Sequence, residues 1–207
     1  MSQPLHPQRV QGVDRLKAFS DGVLAIVITL LIFEVRVPTL ADASLGGVAA
    51  ALIGIGPKLV SFAVSFFTVA IFWVNHHNFF SRISHTNWKL LWINNLLLFW
   101  LTILPFTTAF IGDYPRVPGV VALYAATLAM AGLSFSLMGY YVFFKSDLFP
   151  LAVSPQARRR EWRRTLVGVA LYVMAGLLAF VSVSAALIVL AVIPWLYVIP
   201  NLLQEQE

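Results

Sequence analysis

The sequence predicts an all-α, polytopic membrane protein with six transmembrane helices per subunit. Composition and charge spacing carry that expectation. Of 207 residues, 59% are hydrophobic and 11% are charged, whereas soluble domains average about 45–50% apolar and about 25% charged. The mean hydropathy is +0.83. The charges are also clustered: 23 uncharged residues separate Lys58 from Arg82, 23 separate Lys89 from Asp113, 28 separate Arg116 from Lys145, and 40 run from Thr165 to Gln204. A helix needs roughly 20 mostly apolar residues to cross a bilayer core, and each run is long enough. An ordinary soluble domain and a disordered tail are excluded.

Taken in order, residues 1–14, MSQPLHPQRVQGVD, are polar and proline-bearing and lack the apolar core of a cleavable signal. They are expected to form a cytoplasmic N-terminal segment. The apolar region, residues 15–203, then divides into spans at about 15–37, 52–76, 88–110, 120–144, 165–181 and 184–203. Pro38 ends the first, because proline neither donates to a helix nor fits inside one. The polar stretch ADASLGG follows, and the second span starts between Val48 and Pro57. Pro105 lies near the far end of the third, and the breaker-dense turn IGDYPRVPG leads into the fourth. Residues 145–164 contain RRREWRR and read as a basic connection. Leu166–Leu203 is 38 residues long; one helix of that length would reach about 57 Å, well past a core of roughly 30 Å. Two spans with a turn near Ser182–Ser184 fit better. Residues 204–207 form the expected cytoplasmic tail.

With the N terminus inside, eleven basic residues fall in inner segments (Arg9, Arg15, Lys17, Arg82, Lys89, Lys145, Arg158, Arg159, Arg160, Arg163 and Arg164) and three outside (Arg36, Lys58 and Arg116). That bias follows the positive-inside rule. The expected location is the cell inner (plasma) membrane, multi-pass, with both termini cytoplasmic. Trp73, Trp88, Trp195 and Tyr197 sit near helix ends as interfacial anchors do, while Trp92 and Trp100 read as packing residues. There is no cysteine, and no phosphate-binding loop, dinucleotide fingerprint or zinc-protease motif occurs. RRREWRR sits where a membrane protein carries inner charge, so no nucleic-acid partner is expected.

The first helix is the informative one. Asp21 and Glu34 stand thirteen residues apart, about 20 Å along a helix, and ionisable groups near a span need water, a partner or a membrane boundary. At about 100° per residue, Ile26, Thr29, Leu30 and Phe33 share one side, continuing back to Phe19 and Gly22, while Asp21, Ala25 and Ile28 point elsewhere. This stripe fits lipid or packing contact, with Thr29 bonded to its own helix, as well as it fits a functional surface. A second polar cluster, FWVNHHNFFSRISHTNWKLLWINN, gathers Asn75, His76, His77, Asn78, His85, Asn87, Asn94 and Asn95 at the end where Arg15, Ser20 and Asp21 lie. A network follows in which Asp21 accepts from a histidine or Arg15 and Asn94 or Asn95 completes it. Adjacent His76 and His77 diverge on a helix and few carboxylates are near, so no metal site is expected. A His/Asp proton relay stays open.

RLKAFSDGVLAIVITLLIFEV resembles the first-helix signature of prokaryotic members of the transmembrane protein 175 family of potassium channels: Arg15, then Phe19, Ser20, Asp21 and Gly22, then an Ala-Ile…Thr-Leu-Leu run. FWVNHHNFF and LLWINNLLLFWLTILPFTT resemble that family's second and third helices. The resemblance implies a homotetramer with the first helices around a central pore. It implies hydrophobic pore rings from Ile26, Leu30 and Phe33, the last standing where members often carry leucine. Thr29 would contribute to potassium preference. Arg15, Phe19, Ser20, Asp21, His77 and Asn94 would form the support network, and Glu34 would attract cations at the mouth. The function expected is a passive potassium-preferring cation channel with no catalytic residue and no cofactor. Its partners would be itself, membrane lipid, potassium and other monovalent cations. The alternatives are a proton-coupled or other small-solute transporter using Asp21 and the His76/His77 cluster, a membrane-embedded enzyme, and a structural assembly protein.

Overall fold

A computed structural model describes residues 7–148 and 154–198, the side chains of residues 7–11 excepted. The described residues form helices α1 (Pro7–Phe33), α2 (Leu45–Gly54), α3 (Gly56–Phe80), α4 (Trp88–Asp113), α5 (Pro118–Phe144), α6 (Pro155–Leu178) and α7 (Val183–Val192). A 3-10 turn at Ile193–Tyr197 follows. The expected 204–207 tail, the first six residues of the N-terminal segment and the last five residues of the 184–203 span lie outside the described residues.

The expected count of six membrane spans is corrected. Among the described residues, four helices are long and apolar enough to cross: Gly12–Phe33, Gly56–Phe80, Trp88–Asp113 and Pro118–Phe144. The reason lies in how the last third is divided. α6 carries RRREWRR in its first turns, and the apolar part from Thr165 to Leu178 rises only about 21 Å. The chain then turns, Ser182 caps α7 by accepting from the Ala185 N–H at 3.4 Å, and the helix gives way to the 3-10 turn beginning at Ile193. Both pieces are shorter than a bilayer core of roughly 30 Å.

Local chemistry places the other boundaries. Ser44 begins α2, its Oγ accepting from the Gly47 N–H at 3.1 Å, and Asn87 begins α4 by accepting from the Leu90 N–H at 3.0 Å. Such side-chain oxygens satisfy donors that a helix start leaves free. Pro57 stands in the first turn of α3, where its missing N–H costs nothing, so α2 and α3 are separate helices. The loss of a ladder bond at Pro105, inside α4, is tolerated in spanning helices where neighbours and hydroxyls compensate. At the opposite end of this helix pair, Lys58 and Asp113 form an ion pair joining the start of α3 to the end of α4.

α4 and α5 are the centre of the bundle. α1 and α3 pack on α4 and on each other, and α6 packs on α5. The buried residues of α1 are Val13, Leu16, Ser20, Leu24, Val27 and Leu31, spaced three or four apart as one helical face requires. Across the core, Leu97, Leu101 and Leu104 of α4 and Val121, Ala125 and Leu128 of α5 are likewise buried. A buried hydroxyl cluster fastens α3, α4 and α5: Ser65 Oγ lies 2.7 Å from Thr108 Oγ1 and 2.9 Å from the Tyr124 hydroxyl.

The turn after α7 folds back onto α6. The Tyr197 hydroxyl donates to the Arg164 carbonyl at 3.0 Å, a contact made possible by Gly168, since a Cβ there would overlap that hydroxyl. Gly168→Ala is therefore expected to displace Tyr197 and destabilise the bundle more than Tyr197→Phe, which loses only the hydrogen bond, about 1 kcal/mol. Thermal unfolding of the two variants side by side checks the order.

Candidate functional site

The two faces of α1 have opposite fates. Leu24, Val27 and Leu31 are 1% exposed or less, whereas Phe19 is 56%, Ile26 59%, Leu30 45% and Phe33 76% exposed. Gly22 and Thr29 are exposed with them, and so is Ala25, which the helical spacing places off the stripe; the open face is wider than that spacing implies. Among the described residues, nothing in the subunit packs over this stripe. The Thr29 hydroxyl donates within its own helix, 2.9 Å from the Ile26 carbonyl and 3.0 Å from that of Ala25. Glu34 follows the last helical residue, Phe33, and is exposed, as is Arg15 near the other end.

Behind this face, a polar chain ties α1 to its neighbours. Asn94 of α4 is fully buried and bridges both ways: its Nδ2 donates to Ser20 Oγ of α1 at 3.0 Å, and its Oδ1 lies 2.8 Å from His76 Nε2 of α3. The two ends of one amide thus join a serine of α1 to a histidine of α3. The His76 ring stacks on Phe80 with centroids 4.4 Å apart. Closer to the open side, Trp73 Nε1 of α3 donates to Asp21 Oδ1 of α1 at 2.9 Å. α1 is thus held at consecutive residues, Ser20 and Asp21, by two different helices.

Of the sequence candidates, Ser20, Asp21 and Asn94 enter these contacts. The histidine that Asn94 meets is His76; His77 is exposed and stands beside Trp73, ring centroids 5.8 Å apart. Asp21 accepts from Trp73 in place of a histidine or Arg15. Asp21 and His76 each have a neutral partner. Sequence reasoning placed Trp73 as an interfacial anchor and so missed its bond to Asp21. Helical spacing held a signal for His76: Val69, His76 and Phe80 fall on one face of α3, and all three are buried. Among the described residues, no group of three or more histidine, cysteine or acidic side chains is placed to hold a metal ion.

A family profile described as "Endosomal/lysosomal potassium channel TMEM175" matches residues 15–105, the segment that contains the whole network. A potassium channel of Streptomyces collinus is 34% identical over 84% of this chain and 85% of its own length. The chain belongs to the TMEM175 family. Another relative, a potassium channel of Chryseobacterium sp., is 39% identical over 60% of this chain, a match spanning 62% of that relative. The crystal structure of a lysosomal potassium-selective channel TMEM175 homolog from Chamaesiphon minutus superposes with a TM-score of 0.80. Its identity is 28%, and the match covers 91% of this chain and 97% of that one.

Membership corrects the expected location. The family description is endosomal/lysosomal, and vertebrate relatives, the human protein among them, are named endosomal/lysosomal proton channels. The plasma-membrane expectation rested on basic-residue counts, which orient a chain across a bilayer but do not choose the bilayer.

For this TMEM175 chain, removing the bridging amide tests the network. Asn94→Ala leaves Ser20 and His76 without their shared partner, and a stability loss of roughly 1–3 kcal/mol is expected. In the double variant Ser20→Ala/Asn94→Ala the losses should fall short of additive, read by thermal unfolding of all four proteins.

Proposed function

We propose that this chain is a passive, potassium-preferring cation channel in which four copies bring their α1 helices around a central path. The observation that carries this reading is the open apolar face of α1. Burying Phe19, Ile26, Leu30 and Phe33 within one subunit would require another helix there, and the described residues supply none. The bacterial relatives named potassium channels support the same reading.

Four copies of Ile26, Leu30 and Phe33 around an axis make stacked hydrophobic rings. A constriction of this kind blocks ions by dewetting and by stripping hydration shells that the wall cannot replace. Thr29, one turn from Phe33 and between Ile26 and Leu30, supplies a ring of hydroxyl oxygens at that level and is the residue assigned to potassium preference. Glu34 lies just past the rings and raises the local cation concentration at the mouth. Potassium is the permeant species; the pathway calls for no cofactor and no catalytic group.

The contacts at Ser20 and Asp21 set the rotation of α1 about its own axis. Successive residues are separated by about 100°, so fixing both leaves Ile26 and Leu30 little freedom to turn away from the axis. Arg15 and Phe19 extend this anchored end. Opening then requires α1 helices to move apart or rotate together, and the lack of a side chain at Gly22 permits close helix approach in the closed arrangement.

Reconstitution in liposomes with a potassium gradient tests the proposal. Leu30→Ser and Ile26→Ser, which wet the constriction, are expected to raise passive potassium flux several-fold over the parent protein. A parent protein that conducts no potassium, or strictly proton-coupled flux unchanged by either substitution, would favour the transporter alternative.

A further inference from the structure

On the side of the bundle away from α1, an open cavity of about 240 Å³ lies between α3, α5, α6 and the Ile193–Tyr197 turn. Its floor is one face of α5, where Gly132, Phe135, Gly139 and Phe143 recur three or four residues apart. Gly132 lets α6 approach closely, a Cβ there meeting Val169 at 3.2 Å, and Gly139 is bordered by Phe143 and Trp162. α3 forms one wall from Thr68 to Phe79, about 17 Å along the helix, with Arg82 just past its end, and α6 forms the other. Because α3 packs on α4 and α1 while α6 packs on α5, the two walls stand on either side of a trough.

The lining changes character along its length. Phe72, Phe135, Val169, Tyr172 and Pro194 make the deep end apolar. Arg82 and Arg164 stand at the other end, where α3 finishes, with Trp162 and Tyr197 beside them. Arg164 is held in place: its Nη2 donates to the Tyr197 carbonyl at 3.5 Å, and its guanidinium lies 5.3 Å from the Tyr197 ring centre. Arg82 is exposed. Glu161 is the acidic residue at this rim, so the rim stays net positive.

We infer that this trough binds an anionic phospholipid, with its phosphate between Arg82 and Arg164 and one acyl chain against Phe72, Phe135 and Tyr172. α3 and α5 both qualify as membrane spans, and Arg82 marks the end of one. The charged rim therefore sits at headgroup depth, with the trough running into the hydrocarbon. A free anion would use the rim and leave the aromatic walls empty. A zwitterionic lipid would fill the trough but bring its own cation against the arginines. An anionic phospholipid satisfies both parts, as basic pockets between spanning helices do generally. Glu161 favours a headgroup with hydroxyl donors, which points to phosphatidylglycerol.

Native mass spectrometry of the delipidated full chain, titrated with phosphatidylglycerol, phosphatidylcholine or glycerol 3-phosphate, tests this without any measurement of conduction. The parent protein should bind phosphatidylglycerol about tenfold more tightly than phosphatidylcholine, and glycerol 3-phosphate should not displace it. Arg82→Gln, at an exposed position, should erase most of the preference. Gly139→Leu, which fills the trough, should weaken both lipids. Equal binding of the two lipids, or a preference retained in Arg82→Gln, would overturn the site. So would displacement by glycerol 3-phosphate, or unchanged lipid binding in folded Gly139→Leu.

Discussion

The arrangement depends on one buried amide. Asn94 reaches from the central helix to Ser20 on α1 and to His76 on α3, in surroundings where an unpaired polar group is costly. Neither water nor lipid can substitute for those partners. The three helices must therefore meet in one relative register. Leucines alone would allow α1 to slide or rotate against α4 with little change in buried apolar area, because dispersion contacts are not directional. Trp73 and Asp21 reinforce the same register from the next residue along α1.

That register gives α1 its asymmetry. Ser20 belongs to the row that continues through Leu24, Val27 and Leu31 into the core. Once this row is inward, Ile26, Leu30 and Phe33 are outward by geometry alone. The proposed pore surface is thus a consequence of the network behind it. The far side of the bundle obeys different rules: α5 separates α3 from α6, and a trough with a basic rim remains between them. One chain therefore presents two unlike surfaces, an apolar helix face and an amphipathic cavity.

Much of the framework was legible in the sequence. The charge-free runs ending at Arg82, Asp113 and Lys145 correspond to α3, α4 and α5, because few contexts besides a bilayer accept so long a run without charge. The last third was not legible in that way. Leu166–Leu203 has the composition of two spans, but hydropathy does not register that α6 begins at Pro155 and spends its first turns on RRREWRR, or that the chain changes to a 3-10 turn at Ile193. Length was sufficient; continuity of helix was not. The side-chain network was half legible for a similar reason. Polar residues could be assigned to one end of the bundle, yet choosing His76 over His77, or Trp73 as the donor to Asp21, needed the rotation of α3 about its axis.

By itself the sequence determined that the chain belongs in a membrane, where its long helices lie, and which residues of α1 share a face. Those properties follow from solvent and from the 3.6-residue period, both local. Tertiary structure alone decided which of those faces is buried, which histidine meets Asn94, and that the described part of the C-terminal apolar run forms no helix long enough to span. Those outcomes depend on how helices rotate against one another and on close approaches such as Gly168 with Tyr197, and no single segment encodes them.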